Sequence, residues 1–126
     1  MKYCNAKPVL RVSDYQRAKT FYTEVLGFEP ITEAGEPDPG FGIFRAGDAM
    51  IFLSAWDGAE VPYAGWRAHF YMDDLIELVA HLSAVSCVFK GPTVTAYNMK
   101  EVEVTDPDGN VLCFGTEMPT AESAQQ

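Results

Sequence analysis

Arg67 and His69 stand two residues apart, and on a strand that spacing puts both side chains on one face. An imidazole so placed can act as a general base, with the guanidinium beside it stabilising negative charge as it develops. A second constellation is aromatic and acidic: Phe41, Phe52, Trp56, Trp66, Tyr71 and Tyr97 offer ring faces, while Glu60, Glu101 and Glu103 offer carboxylates. Rings for stacking and cation–π contact, with carboxylates near the charge, are what a pocket for a planar cationic molecule needs. The first constellation points to catalysis and the second to capture without turnover. Trp56 and Trp66 are favoured as ligand contacts because they flank a junction, where binding surfaces collect. Cys4, Cys87 and Cys113 are odd in number and lack metal-finger or CxxC spacing, so reduced, structural thiols are expected.

The elements that must position these residues come in two copies. Residues 100–114 alternate around Val102 and Val104, turn at Asp106-Pro107-Asp108-Gly109-Asn110, and return through the apolar run Val111-Leu112-Cys113-Phe114. Pro fixes φ in that turn, Gly is free to take φ > 0, and Asp and Asn can bond their own backbone. A fainter copy spans residues 42–54, and a strand followed by a helix precedes each hairpin at the same separation.

In the first copy, a strand over residues 7–12 leads to a helix capped by Ser13 or Asp14. That helix carries Ala18, Phe21, Tyr22 and Val25 at helical spacing and is closed by Gly27. Residues 28–32 form the next strand, 33–39 a surface loop, and 41–46 with 49–55 the hairpin. In the second copy, a strand begins at Trp66 and Asp73 or Asp74 caps a helix bearing Leu75, Leu78, Val79 and Leu82. His81 packs or caps on that helix. A short strand over 86–89 and a turn at Lys90-Gly91-Pro92 follow. The expected organisation is α+β: a first βαβββ module over residues 1–56, a linker over 57–65, a second module over 66–116 and a polar tail over 117–126.

Nine basic and eighteen acidic side chains give a formal charge of −9, which argues against nucleic acid or an anionic membrane as partner. No apolar run is long enough to span a bilayer and the N-terminus lacks a signal-peptide pattern, so a cytoplasmic location is expected.

Three segments together resemble the glyoxalase/bleomycin resistance/extradiol dioxygenase, or vicinal oxygen chelate, superfamily. They are Pro8-Val9-Leu10-Arg11-Val12-Ser13-Asp14, Ala18-Lys19-Thr20-Phe21-Tyr22 with Leu26-Gly27-Phe28, and Val104-Thr105-Asp106-Pro107-Asp108-Gly109-Asn110. The resemblance covers residues 7–115. It implies that the paired modules curl into a partly closed mixed sheet around a groove, usually in a homodimer. In the superfamily's metal enzymes, His or Glu on the first and last strands of each module holds a divalent ion. Those positions fall here on Lys7, Phe52 (or Leu53 if the register slips by one), Arg67 and Cys113. Lysine and arginine are cations and phenylalanine has no lone pair to give, which leaves Cys113 alone as a donor, with His69 nearby.

The expectation is therefore a site with no metal and no cofactor. The resemblance is nearest to the bleomycin-resistance type, which sequesters a drug-like or aromatic small molecule in a groove at the dimer interface. The expected ligand residues are Phe41, Phe52, Trp56, Trp66, Arg67, His69, Tyr71, Tyr97, Glu101 and Cys113. The alternative is an enzyme of the same superfamily using His69 as base beside Arg67. Strand alternation adds that His69 and Tyr71 share a face with Arg67 while Ala68 and Phe70 pack under the helices, and that Lys7, Val9 and Arg11 point inward. Cations facing the groove are awkward for a purely cationic ligand: they suit an anionic or zwitterionic one, or else they pair internally with Glu101 or Glu103.

Overall fold

Asp14 stops one strand and starts one helix: its carboxylate accepts the backbone N–H of Arg17 at 3.0 Å, closing the first turn of α1 (Tyr15–Thr20). The computed structural model describes residues 1–61 and 65–119. After α1 the chain runs through a wider π turn, Phe21–Val25, and Gly27 ends it at φ 76°. β1 (Val9–Arg11) precedes α1, and β2 (Glu29–Ala34), β3 (Phe41–Ala46) and β4 (Ala49–Ser54) follow the turn. The unit then recurs as β5 (Trp66–Tyr71), α2 (Ile76–Ala84), β6 (Lys90–Val94), β7 (Met99–Thr105) and β8 (Val111–Glu117). At the start of α2 the Asp74 carboxylate accepts the Ile76 N–H at 2.9 Å.

Each module makes one four-stranded mixed sheet, ordered β1-β4-β3-β2 and β5-β8-β7-β6, and the sheets are not closed. In each, the first strand pairs in parallel with the last, which is possible because a helix carries the chain across. One core joins the two. Leu10, Leu53, Leu82 and Leu112 are fully buried in it, each contributing about 1.5–3 kcal/mol by leaving water. Phe28 of the first module meets Phe70 of the second edge-on at 5.8 Å, and Phe70 stacks on Phe114 at 5.0 Å.

The 106–110 turn clasps the modules. The Asp106 carboxylate accepts the backbone N–H groups of Asp108 and Asn110 at 2.9 and 2.8 Å, the Asn110 amide at 2.8 Å and the Tyr22 phenol at 2.7 Å. Asn110 donates onward to the Arg11 carbonyl at 3.0 Å, and Asp108 accepts from Ser13 and Arg17. Burial, reinforced by the Asp106 charge, holds the Tyr22 phenol well above its ordinary pKa.

Three local expectations are corrected. The strand expected over 86–89 lies instead at β6, and Lys90-Gly91-Pro92 is part of that strand rather than a turn. β6 is an edge strand, paired among the described residues only to β7, with its register shift falling between Lys90 and Thr93, the kind of position that tolerates a proline with no N–H. β2 runs on to Ala34, taking Glu33 out of the expected loop. β8 continues through Glu117, and of the expected tail, residues 120–126 lie outside the described residues.

Glu33 closes a surface network: its carboxylate accepts from Tyr15 at 2.7 Å and from Lys19 at 2.9 Å. The Tyr15 hydrogen bond, then Lys19, hold its pKa below the usual glutamate value. A carboxyl depressed on folding stabilises fully above its unfolded pKa and loses that contribution as pH falls through the folded one. Glu33→Gln should therefore be less stable than the parent at pH 7, with the gap closing in acid, as measured by urea unfolding across pH.

Candidate functional site

The strand order β5-β8-β7 brings three residues far apart in sequence onto one face of the second sheet. His69 lies beside Cys113 across the parallel β5/β8 pair, and Glu101 is reached from β7 on the far side of β8. The His69 Nε2–H donates to Glu101 Oε2 at 2.8 Å, and the Tyr97 hydroxyl donates to the same oxygen at 2.7 Å. The Cys113 thiol also bonds Glu101. The donor atoms of His69, Glu101 and Cys113 all lie within 4.8 Å of one another.

Glu101 is only 7% exposed. Burial pushes its pKa up, but the hydrogen bonds from Tyr97 and His69 outweigh that and hold it below the usual glutamate value, so it is a carboxylate at neutral pH. The same carboxylate pushes the Tyr97 phenol up to about 12. Burial first, then Glu101, push the Cys113 thiol up to about 12. With no metal bound, Cys113 is thus a protonated thiol and a poor nucleophile.

Aromatic rings surround this cluster. The Trp66 ring lies 5.1 Å and the Tyr71 ring 5.2 Å from the His69 ring, and the Trp66 indole N–H donates to Glu103 at 2.8 Å. Tyr71 is 70% and Tyr97 55% exposed, so their faces are open to a ligand. The expected alternation holds from Ala68 onward: Phe70 is buried and Ala68 packs on the core. Before Ala68 a register shift in the β5/β8 pairing intervenes, and the ring found beside His69 is that of Trp66. Arg67 pairs with Glu60 at 2.8 Å and donates to the Val61 carbonyl at 3.1 Å. Arg11 donates to the carbonyls of Asp57 and Gly58, anchoring the start of the linker. Glu60 is thus one internal partner of Arg67, and Glu103 accepts from Trp66.

The remaining expected residues form a separate cluster on the first sheet. Phe41 stacks on Trp56 with ring centroids 5.0 Å apart and meets Phe52 edge-on at 5.6 Å. Leu53 is fully buried in the core, so Phe52 is the residue on the exposed face and the slipped register is excluded. Two open clefts lie between the modules. One, of about 340 Å³, is bordered by Lys7, Asp48 and His69. The other, of about 720 Å³, is bordered by Tyr71, Asp48, Asp73, Asp74 and Glu77. Of the expected ligand residues, His69 borders the first and Tyr71 the second; Trp56 and Tyr97 lie in turns and the others on strands.

The four metal-ligand positions implied by the resemblance do not fit an ion. Lys7 donates to Asn5, Phe52 belongs to the aromatic cluster, and Arg67 is paired with Glu60. Cys113 alone of the four is a donor.

Gly115 was not singled out from the sequence, although glycine in an apolar strand often marks a close approach. A Cβ there would sit 2.9 Å from His69 Cε1 and 3.1 Å from Nε2. Gly115→Ala should displace the imidazole from Glu101, which imidazole NMR would register as loss of the Nε2 hydrogen bond. Overpacking of this kind costs about 1–3 kcal/mol in unfolding free energy.

No curated protein matches the sequence. Among solved structures, a bleomycin resistance determinant encoded on the transposon Tn5 superposes with TM-score 0.76 at 25% identity, covering 91% of this chain and 98% of that one. TnmS3, an antibiotic binding protein from Streptomyces sp. CB03234, gives TM-score 0.72 at 22% identity, covering 93% and 99%. A lactoylglutathione lyase from Agrobacterium tumefaciens gives TM-score 0.71 at 21% identity, covering 91% and 94%. The model of the Glyoxalase/Bleomycin resistance protein/Dioxygenase superfamily matches residues 5–114, and the chain belongs to that superfamily.

Proposed function

We propose that this protein binds a planar, cationic aromatic small molecule on the face of the second sheet and sequesters it without turnover. The observation that carries this reading is Glu101: a nearly buried carboxylate among the rings of Tyr97, His69, Tyr71 and Trp66. A low-dielectric carboxylate flanked by aromatic faces selects positive charge on a flat ligand. The acidic overall charge favours its approach. The likeness to a bleomycin resistance determinant and to an antibiotic binding protein supports a drug-like ligand and a role in resistance.

A second copy of the chain closes the open side of the groove, and the Phe41–Phe52–Trp56 cluster provides a further stacking wall. The protein is thus a homodimer in this reading. No helix among the described residues is long and apolar enough to cross a membrane. Cys4, Cys87 and Cys113 are all free, which suits the reducing cytoplasm.

Equilibrium dialysis against planar cationic dyes and their anionic counterparts, with the ligand mass checked afterwards, tests the reading. The expected result is saturable, cation-selective binding and recovery of the ligand unchanged. Ligand mass that shifts over many turnovers, and stops shifting in His69→Ala, would instead establish the enzyme with His69 as base. Native mass spectrometry of the same sample is expected to show twice the 13.9 kDa chain mass.

A further inference from the structure

The His69–Glu101–Cys113 cluster has a composition that carboxylate capture of an organic cation does not require. One nitrogen, one carboxylate oxygen and one sulfur converge from three neighbouring strands of a single sheet. Around a tetrahedral zinc ion, donor atoms bound at about 2.0–2.3 Å stand roughly 3.3–3.8 Å apart. The 2.8 Å between His69 and Glu101, and the 4.8 Å limit on the whole set, bracket that spacing. The cluster is also unfinished as a hydrogen-bonded network. His69 Nδ1 is buried and has no hydrogen-bond partner among the described residues. No second hydrogen bond fixes the ring, so either nitrogen can be turned to an ion.

We infer that His69, Glu101 and Cys113 form a binding site for a divalent transition metal of the zinc class, built within the second module: it shares only Cys113 with the four positions implied by the resemblance, and draws its other two donors from His69 and from Glu101 on β7. The thiol sulfur and imidazole nitrogen select zinc, cobalt or copper over magnesium or calcium, which prefer all-oxygen shells. Three protein donors leave a fourth position open, and Tyr71 and Tyr97 stand exposed on the same face. Because Glu101 is shared, the metal and an organic cation compete: the metal-loaded protein has already spent the charge that the proposed cationic ligand needs. The inference stands apart from sequestration, since the metal can bind whether or not any organic ligand does.

Cobalt(II) is the probe, because a thiolate bound to it gives a ligand-to-metal charge-transfer band in the near ultraviolet. The test uses the double variant Cys4→Ser/Cys87→Ser, in which Cys113 is the one remaining cysteine; Cys4 is exposed and Cys87 half-buried. After chelator treatment, titration with cobalt(II) should produce that band together with the visible bands of tetrahedral cobalt, saturating at one ion per chain. Zinc(II) should displace it. In the same background, His69→Ala should weaken binding by about 100-fold or more, beyond the 10–100-fold typical of losing an outer-shell partner. Cobalt(II) that binds with no charge-transfer band, or does not bind, overturns the inference. Cys87 packs against the core, so the double variant is first shown to unfold in urea like the parent; the cobalt readout then needs no His69 substitution, and a misfolded His69 variant leaves the test intact.

Discussion

Asp106→Ala is expected to lower the unfolding free energy by about 3–5 kcal/mol, the largest stability loss of any single substitution considered. One carboxylate satisfies four donors there: the Tyr22 hydroxyl, two backbone N–H groups and the Asn110 amide. Removing it strands a buried phenol from the first module and unties the turn that bonds to Arg11, Ser13 and Arg17. Each buried donor left without a partner costs about 1–3 kcal/mol, reduced where water can enter. Against a typical total of about 5–15 kcal/mol, the variant will be marginal. Tyr22→Phe removes one donor and leaves the acceptor its other three, so it should cost about 1–2 kcal/mol. Urea unfolding of both variants checks this. An Asp106→Ala loss below about 1 kcal/mol would mean that the turn does not hold the modules together.

Glu101→Gln is expected to weaken binding of a planar cationic ligand by about 30-fold or more, the equivalent of ~2 kcal/mol, while a neutral ligand of the same shape loses little. Glutamine keeps the volume but has one acceptor oxygen where the carboxylate has two, and no charge. The hydrogen bonds from Tyr97 and His69 both go to one oxygen, whose place the glutamine carbonyl oxygen can take, so the loss reports chiefly the missing charge. Glu103→Gln is the informative comparison. Glu103 is on the same strand and bonds the Trp66 indole, but it does not receive the His69 or Tyr97 hydrogen bonds. Its replacement should cost several-fold less than that of Glu101. Isothermal titration of the three proteins reads the difference, and equal losses would show that the effect is bulk negative charge rather than a site.

The features legible in the sequence are those set by local chemistry or by repetition. The Asp14 cap, the stop at Gly27 and the 106–110 turn depend on a few adjacent residues, and the repeated module is visible because its hairpin recurs. β6 was illegible because Gly91 and Pro92 mark a turn in most settings, and nothing local says that the strand will be an edge. The site divides in the same way. That His69 and Tyr71 share a face follows from alternation, whereas the place of Trp66 beside His69 depends on a register shift that the sequence does not announce. The meeting of His69 with Glu101 and Cys113 is less visible still. It depends on β8 lying between β5 and β7, a matter of strand order among segments more than thirty residues apart in the case of His69 and Glu101. Taken singly, each of the three is an ordinary strand residue, and their chemistry arises from the topology.

The most direct test of the ligand site follows the two tryptophan indole N–H resonances during titration with a planar cationic aromatic compound. Trp66 bonds Glu103 and lies against His69, whereas Trp56 stacks on Phe41 in the other sheet. The Trp66 resonance should move, saturate at one ligand per chain, and stay in place when the titration is repeated with Glu101→Gln. A Trp66 signal that remains still through saturation, or that an anionic counterpart moves equally, would contradict a cation site on the second sheet.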